Sequence, residues 1–245
     1  MVLCQFYNDD CVNYSDNCIE QYDSIVTDPP YGIEYLGNNW DSYQNCITFK
    51  ASTWQSIAKT LKPGGHLLIF GASKTFHRLT TAVEDSGLRI KDVLMWLYGQ
   101  GMPKSQNIGK KDAKWEGWGT GLKPCYEPIL LAQKPISEKT IVNNFQKHGV
   151  GGINIEESRL ESGRWPGNVL HDGSDEVEQE FARFGERGNG WARNYGVEDY
   201  QGRQYGGGVF GGGGYIGDTT YCDDGTASRF FYSTKSSVKE RTHNR

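Results

Sequence analysis

The feature that most constrains this chain is a β-branched run that stops at two prolines. Ser24, Ile25, Val26 and Thr27 lead straight into Asp28-Pro29-Pro30-Tyr31. Proline cannot donate to a sheet ladder or sit inside a helix, so a strand over residues 23–27 must end in a rigid loop. Downstream, Trp54, Ile57, Ala58 and Leu61 recur at helical spacing until Lys62-Pro63-Gly64-Gly65 interrupts them, which predicts a helix and its terminator. Residues 66–70 read as a short buried strand, 75–86 as a helix closed by Gly87, and 88–98 as another strand. Alternation of this kind predicts an α/β layered fold with a largely parallel sheet.

The pattern weakens after Gly99 into a lysine-rich loop and resumes as a strand over residues 127–132. Beyond Gly151 only short apolar pieces remain. Residues 188–217 hold twelve glycines among Trp191, Tyr195, Tyr200, Tyr205, Phe210 and Tyr215, a density that opposes a packed core and predicts a long flexible excursion. Residues 229–233 read as one more strand. The longest apolar stretches are about five residues, far short of the roughly 20 that span a bilayer. The N-terminus lacks the basic and apolar regions of a signal peptide, so a cytoplasmic location is expected. Six cysteines form no CxxC pair. The even spacing of Cys4, Cys11 and Cys18 reads as coincidence, since no partner pair or histidine sits at zinc spacing, and no metal is expected.

Net charge is −4, but it is unevenly spread: residues 99–150 carry +4 and the segments on either side −4 each. The middle block, with Lys104, Lys110, Lys111, Lys114 and Lys123, is the most plausible face toward a polyanion, although in isolation it reads first as an ordinary solvated lysine surface.

At the carboxyl end of a strand, where α/β sheets place their sites, Asp28-Pro29-Pro30-Tyr31 has a chemical logic. The Asp28 carboxylate and the Pro29 carbonyl are two hydrogen-bond acceptors whose directions are fixed by the proline rings, and the Tyr31 ring offers a stacking face. Such a set suits a planar ring bearing an amino group. Taken alone, the tetrapeptide is equally well a turn.

Context decides. Residues 23–32, Trp40-Asp41, residues 61–65, 96–105 and 122–135, and Gly163-Arg164-Trp165-Pro166-Gly167-Asn168 follow one another in an order that resembles site-specific DNA amino-methyltransferases common in phages and mobile elements. The resemblance runs to about residue 185 and resumes at 227–235. It implies a partial Rossmann-like methyltransferase sheet with helices on both faces and an irregular, glycine-rich target-recognition region. The implied division is 1–135 for the catalytic part, 136–226 for target recognition, and 227–245 for a last strand and tail. It also implies a catalytic role for Asp28, Pro29, Pro30 and Tyr31, with Asp in first place more typical of adenine enzymes, and S-adenosylmethionine as cofactor. The substrate would be duplex DNA from which the target base is flipped out for reaction. Asp10-Cys11 resembles an element whose acidic residue lies near the cofactor, which makes Asp10, with Asp28, a candidate cofactor contact. Gly64-Gly65 reads as a turn, not a phosphate cradle, because no Gly-x-Gly-x-x-Gly follows.

The chain departs from the family in one respect. A His-Pro-Thr-Val-Lys-Pro-like stretch and a strand ending in Asp-Pro-Phe-x-Gly-x-Gly, which in the family carry the cofactor, are not found, and glycines 206–214 do not replace them. The expectation is an enzyme whose cofactor half comes from a second polypeptide, the alternative being an inactive DNA-binding or interaction remnant.

Overall fold

A computed structural model describes residues 4–99, 101, 105–160, 165–185 and 231–233. Lys104, the glycine-dense stretch 188–217 and the tail after 233 lie outside these residues. The elements run α1 (Cys11–Asn17), β1 (Tyr22–Thr27), α2 (Ala51–Lys59), β2 (Leu61–Phe70), α3 (Phe76–Asp85), β3 (Arg89–Leu97), β4 (Tyr126–Gln133), α4 (Ile141–His148), β5 (Val169–His171), α5 (Asp175–Ala182) and β6 (Tyr232–Ser233). No described helix is long and apolar enough to cross a membrane.

One six-stranded sheet has the order β1-β2-β4-β3-β5-β6. The pairs β1/β2, β3/β5 and β5/β6 are parallel, while β4 is antiparallel to both β2 and β3. Five strands therefore run one way, as the alternation predicts, and β4 is the exception. Parallel neighbours need a crossover, usually a helix. Among its described residues the chain between β3 and β4 forms no helix longer than two short 3-10 turns, and β4 enters the sheet reversed. Because β5 and β6 join the same sheet, residues from beyond position 135 contribute to it.

One face of the sheet carries the core: Leu67 and Ile69 of β2 and Leu130 and Ala132 of β4 pack against Trp54 and Ile57 of α2 and Leu79 and Val83 of α3. The opposite face shows the alternate residues His66, Leu68, Leu94 and Leu131 to a cavity of about 600 Å³ closed by residues 152–158 and 166–168. At one end of that face α4 is anchored by Asn144, which is fully buried. Its amide donates to the carbonyls of Pro63 (2.8 Å) and Val150 (2.9 Å) and accepts from the Ser137 N–H (3.1 Å).

The Pro63-Gly64-Gly65 terminator works differently from its sequence reading. The strand begins at Leu61 and runs through these residues, with a register shift against β1 between Tyr22 and Ser24. Gly64 takes φ +84°, and a Cβ there would lie 2.5 Å from the Asn144 amide nitrogen. The glycine is thus required both by its backbone angle and by the approach of α4.

Candidate active site

Parallel β1 and β2 end side by side, with Thr27 level with Ile69, and this sets Asp28-Pro29-Pro30-Tyr31 at the carboxyl edge of the sheet. The loop that follows is fixed from several directions. The Thr48 hydroxyl (2.7 Å) and the Cys46 thiol (3.3 Å) donate to the Pro30 carbonyl, and the Thr75 hydroxyl donates to that of Tyr31 (2.7 Å). Asp41, 2% exposed, accepts from the backbone N–H groups of Gly32 (2.7 Å), Ile33 (3.3 Å) and Tyr35 (2.9 Å). Gly32 has φ +66°, and a Cβ there would strike the Phe49 ring at 2.3 Å. The core itself reaches this loop, because the Trp54 indole donates to the Thr48 carbonyl (2.8 Å).

With the carbonyls of Pro30 and Tyr31 engaged, no described group donates to that of Pro29. The Asp28 side chain is exposed. Two acceptors are therefore left for a ligand by a backbone that cannot readily turn them elsewhere.

Beside them a cavity of about 780 Å³ opens, within the usual range for small-ligand sites. Tyr31, Trp96, Tyr98 and Tyr126 give it aromatic walls, and Lys74 and Glu127 are its charged members. Burial, followed by hydrogen bonding to Asp28 and the charge of Glu127, raises the Tyr31 phenol well above the ordinary tyrosine range. Glu127 is raised as well, first by burial and then by the charge of Asp28, with a hydrogen bond from Tyr31 acting in the opposite direction. Burial and the Glu127 charge raise Tyr98. Such perturbed groups gathered in a cleft mark a functional site.

The other described sequence candidates are not among the residues that line this cavity. Asp10 is the N-cap of α1, its carboxylate accepting from the N–H groups of Val12 (2.9 Å) and Asn13 (3.0 Å). Lys110, Lys111 and Lys114 are exposed on the excursion between β3 and β4. That excursion is closed by an Asn107–Gly119 bridge and by a hydrogen bond from the Thr120 N–H to the Ser105 hydroxyl (2.9 Å), and it carries an edge-to-face Trp115–Trp118 pair. Thr48, Thr75 and Glu127 were not among the site residues the sequence suggested, the latter two entering only as ends of predicted elements, and Asp41 entered only as a motif residue. A signal for Glu127 did exist: it is the one charged residue at the head of the apolar run Pro128 to Ala132.

A family model described as DNA methylase matches residues 22–244. The Type II methyltransferase M.HindIII of Haemophilus influenzae is 28% identical over 205 residues, covering 63% of this chain and 65% of that protein. The chain thus spans less than two thirds of the length of this curated relative. Among solved structures, the cytosine-N4-specific PvuII DNA methyltransferase overlays with a TM-score of 0.41 at 16% identity, over 72% of this chain and 61% of that one. The M1.HpyAVI–SAM complex overlays with a TM-score of 0.35 at 20% identity, over 54% and 56%. Overlaps of this extent bear on neither site nor substrate.

Proposed function

Because the chain belongs to the DNA methylase family, we propose that it transfers a methyl group from S-adenosylmethionine to the exocyclic amine of a base flipped out of duplex DNA, adenine in preference to cytosine. The observation that carries this reading is the pair of acceptors, Asp28 carboxylate and Pro29 carbonyl, held next to Tyr31 and its aromatic cavity by a loop whose Pro30 and Tyr31 carbonyls are already bonded.

An exocyclic amine is a weak nucleophile because its lone pair is delocalised into the ring. Hydrogen bonds from its two N–H groups to Asp28 and Pro29 favour a tetrahedral nitrogen whose lone pair points away from the ring. Both acceptors are in place before the base arrives, so little reorganisation is needed at the moment of reaction. Asp28 also stands ready to take the proton that leaves nitrogen as the new N–C bond forms. Tyr31 and its aromatic neighbours supply the stacking surface that offsets the cost of unstacking the base. The preference for adenine follows from the family pattern that Asp28 matches.

S-adenosylmethionine, when bound, supplies the activated methyl group. Asp28 is one carboxylate available to it, and Asp10 contributes only if its capping bonds are shared. The free edge of β1 supports the proposal that further strands complete the site, from a second polypeptide or another part of this protein. β1 pairs only with β2 among the described strands, and Val26 on it is 66% exposed, whereas unprotected edges are normally covered. Lys110, Lys111 and Lys114, with Lys104, are the proposed phosphate contacts.

The test is transfer of labelled methyl groups to unmodified duplex DNA by the full chain, alone and with the product of the adjoining reading frame. Nucleosides from the digested product are then separated. N6-methyladenine is the expected product, N4-methylcytosine would reverse the base preference, and no transfer to any DNA by either preparation would leave a binding protein.

A further inference from the structure

Leu122 borders the same cavity as Tyr31, and 94% of it is exposed. A single exposed apolar side chain needs no explanation by itself. The setting of this one is unusual, because the backbone that carries it is held on both sides. Upstream, the Ser105 hydroxyl accepts from the N–H groups of Thr120 (2.9 Å) and Gly121 (3.3 Å), and the Thr120 hydroxyl accepts from the Gln106 N–H (2.9 Å). Downstream, the Lys123 ammonium donates to the Gly99 carbonyl just beyond β3, and the Tyr98 N–H donates to the Cys125 carbonyl (3.0 Å). Pro124, between these two contacts, has a fixed φ. The segment is thus tied to the body of the protein while its apolar side chain stands in solvent at the mouth of the cavity.

We propose that Leu122 enters the duplex where the target base leaves it and fills the gap between the neighbouring base pairs. The inference rests on the reading of this site as one that takes a base out of duplex DNA, and it adds the residue that holds the duplex open.

Removing a base from the stack costs its stacking and pairing, and the gap it leaves exposes the faces of the adjacent pairs and an orphaned partner base. Apolar side chains inserted at such steps, leucine among them, restore part of the lost contact. A residue that does this must be apolar, free of packing within its own protein, close to the pocket that takes the base, and carried by backbone that is tied down. Leu122 meets all four conditions. The charge around it fits the same partner: residues 105–123 hold four lysines against Asp112 and Glu116, and Lys110, Lys111 and Lys114 are exposed. Phosphates on either side of the gap would be drawn to these cations. Trp115 and Trp118, the other exposed large apolar side chains of this excursion, are not among the residues that line the cavity. Their rings pack on each other, with the Lys114 ammonium 5.4 Å from the Trp115 ring centre.

The experiment measures binding of the full chain, by fluorescence anisotropy, to an intact duplex and to the same duplex with one abasic site. In the second the gap exists in advance, so insertion has no base to displace. Wild type should prefer the abasic duplex by about 10-fold, the scale expected for burying one leucine side chain. Leu122→Ala should lose most of that preference, and Leu122→Met, of similar volume, should keep it. Because Leu122 is exposed, both variants should unfold in urea at the wild-type midpoint. Equal binding of the two duplexes by wild type, binding of neither, an Ala variant that keeps the full preference, or a Met variant that behaves like Ala overturns the proposal. If DNA is methylated in the transfer assay but the abasic duplex is not preferred, this inference fails alone. If the preference is present and depends on Leu122 but no DNA is methylated, the methyl-transfer reading fails and insertion into the duplex stands.

Discussion

The loop at residues 28–49 and the excursion at 105–123 are both irregular, yet they are built in opposite ways. In the first, backbone groups are tied by buried side chains: Asp41 holds three consecutive-turn amides, and Thr48 and Thr75 hold two carbonyls. In the second, the ties are a single backbone bridge and exposed contacts such as the Lys114–Asp112 pair (3.1 Å), of a kind worth at most about 1 kcal/mol. A reaction that turns on the direction of two hydrogen bonds needs the first kind of loop. Contacts to phosphate, which are dominated by charge and tolerate adjustment, are served by the second.

Breaking the first loop should have the largest effect on stability. Asp41→Ala leaves three N–H groups without their acceptor, that of Gly32 buried, and we expect a loss of about 3 kcal/mol in denaturant unfolding. A variant that unfolds at the wild-type midpoint would mean that this loop is no better anchored than the excursion.

A smaller effect, dependent on pH, is expected at Glu127. Its proton affinity is higher in the folded protein than in the unfolded chain, so ionisation opposes folding. That penalty is complete above the folded pKa and disappears as pH falls through it to the unfolded value of about 4.3. Glu127→Gln should therefore raise the melting temperature at neutral pH and give no gain near pH 4. A gain that is the same at both pH values would dissociate it from titration.

The smallest stability effect belongs to the excursion. Replacing Lys110, Lys111 and Lys114 by Ala should change stability by no more than about 0.5 kcal/mol. The slope of log binding constant against log salt for DNA should nevertheless fall by up to about 2.7, the value for three phosphate contacts. An unchanged slope would assign DNA contact to another surface.

What the sequence revealed and what it hid divide along the same line. Strand β1 and its stop were legible because a β-branched run and two prolines act locally. Helices α2 and α3 were legible because each buries an apolar stripe. Helix α4 gave no such signal: Ile141 and Phe145 stay half exposed, and the one buried side chain of the helix is the amide of Asn144. Helix α5 could have been found, since Ser174 precedes a first turn that contains Asp175, Glu176 and Glu178, a pattern favoured at helix starts. The acceptors of the site, Asp28 and Pro29, were readable from the motif. Thr48 and Thr75, which engage the carbonyls of Pro30 and Tyr31, act on residues 18 and 44 positions away and become visible only once β2 lies beside β1.

The central claim is that the Asp28 carboxylate takes part in the chemistry and does not merely shape a turn. The most direct test compares wild type with Asp28→Ala in labelled methyl transfer to DNA, with DNA binding measured in parallel and the completing polypeptide present if one is required. Losing one preorganised acceptor at the reacting nitrogen should lower the rate on the order of 10²–10³-fold. Binding should be retained or slightly tightened, because a negative charge has left a surface that faces DNA. Equal transfer by the two proteins would contradict the assignment.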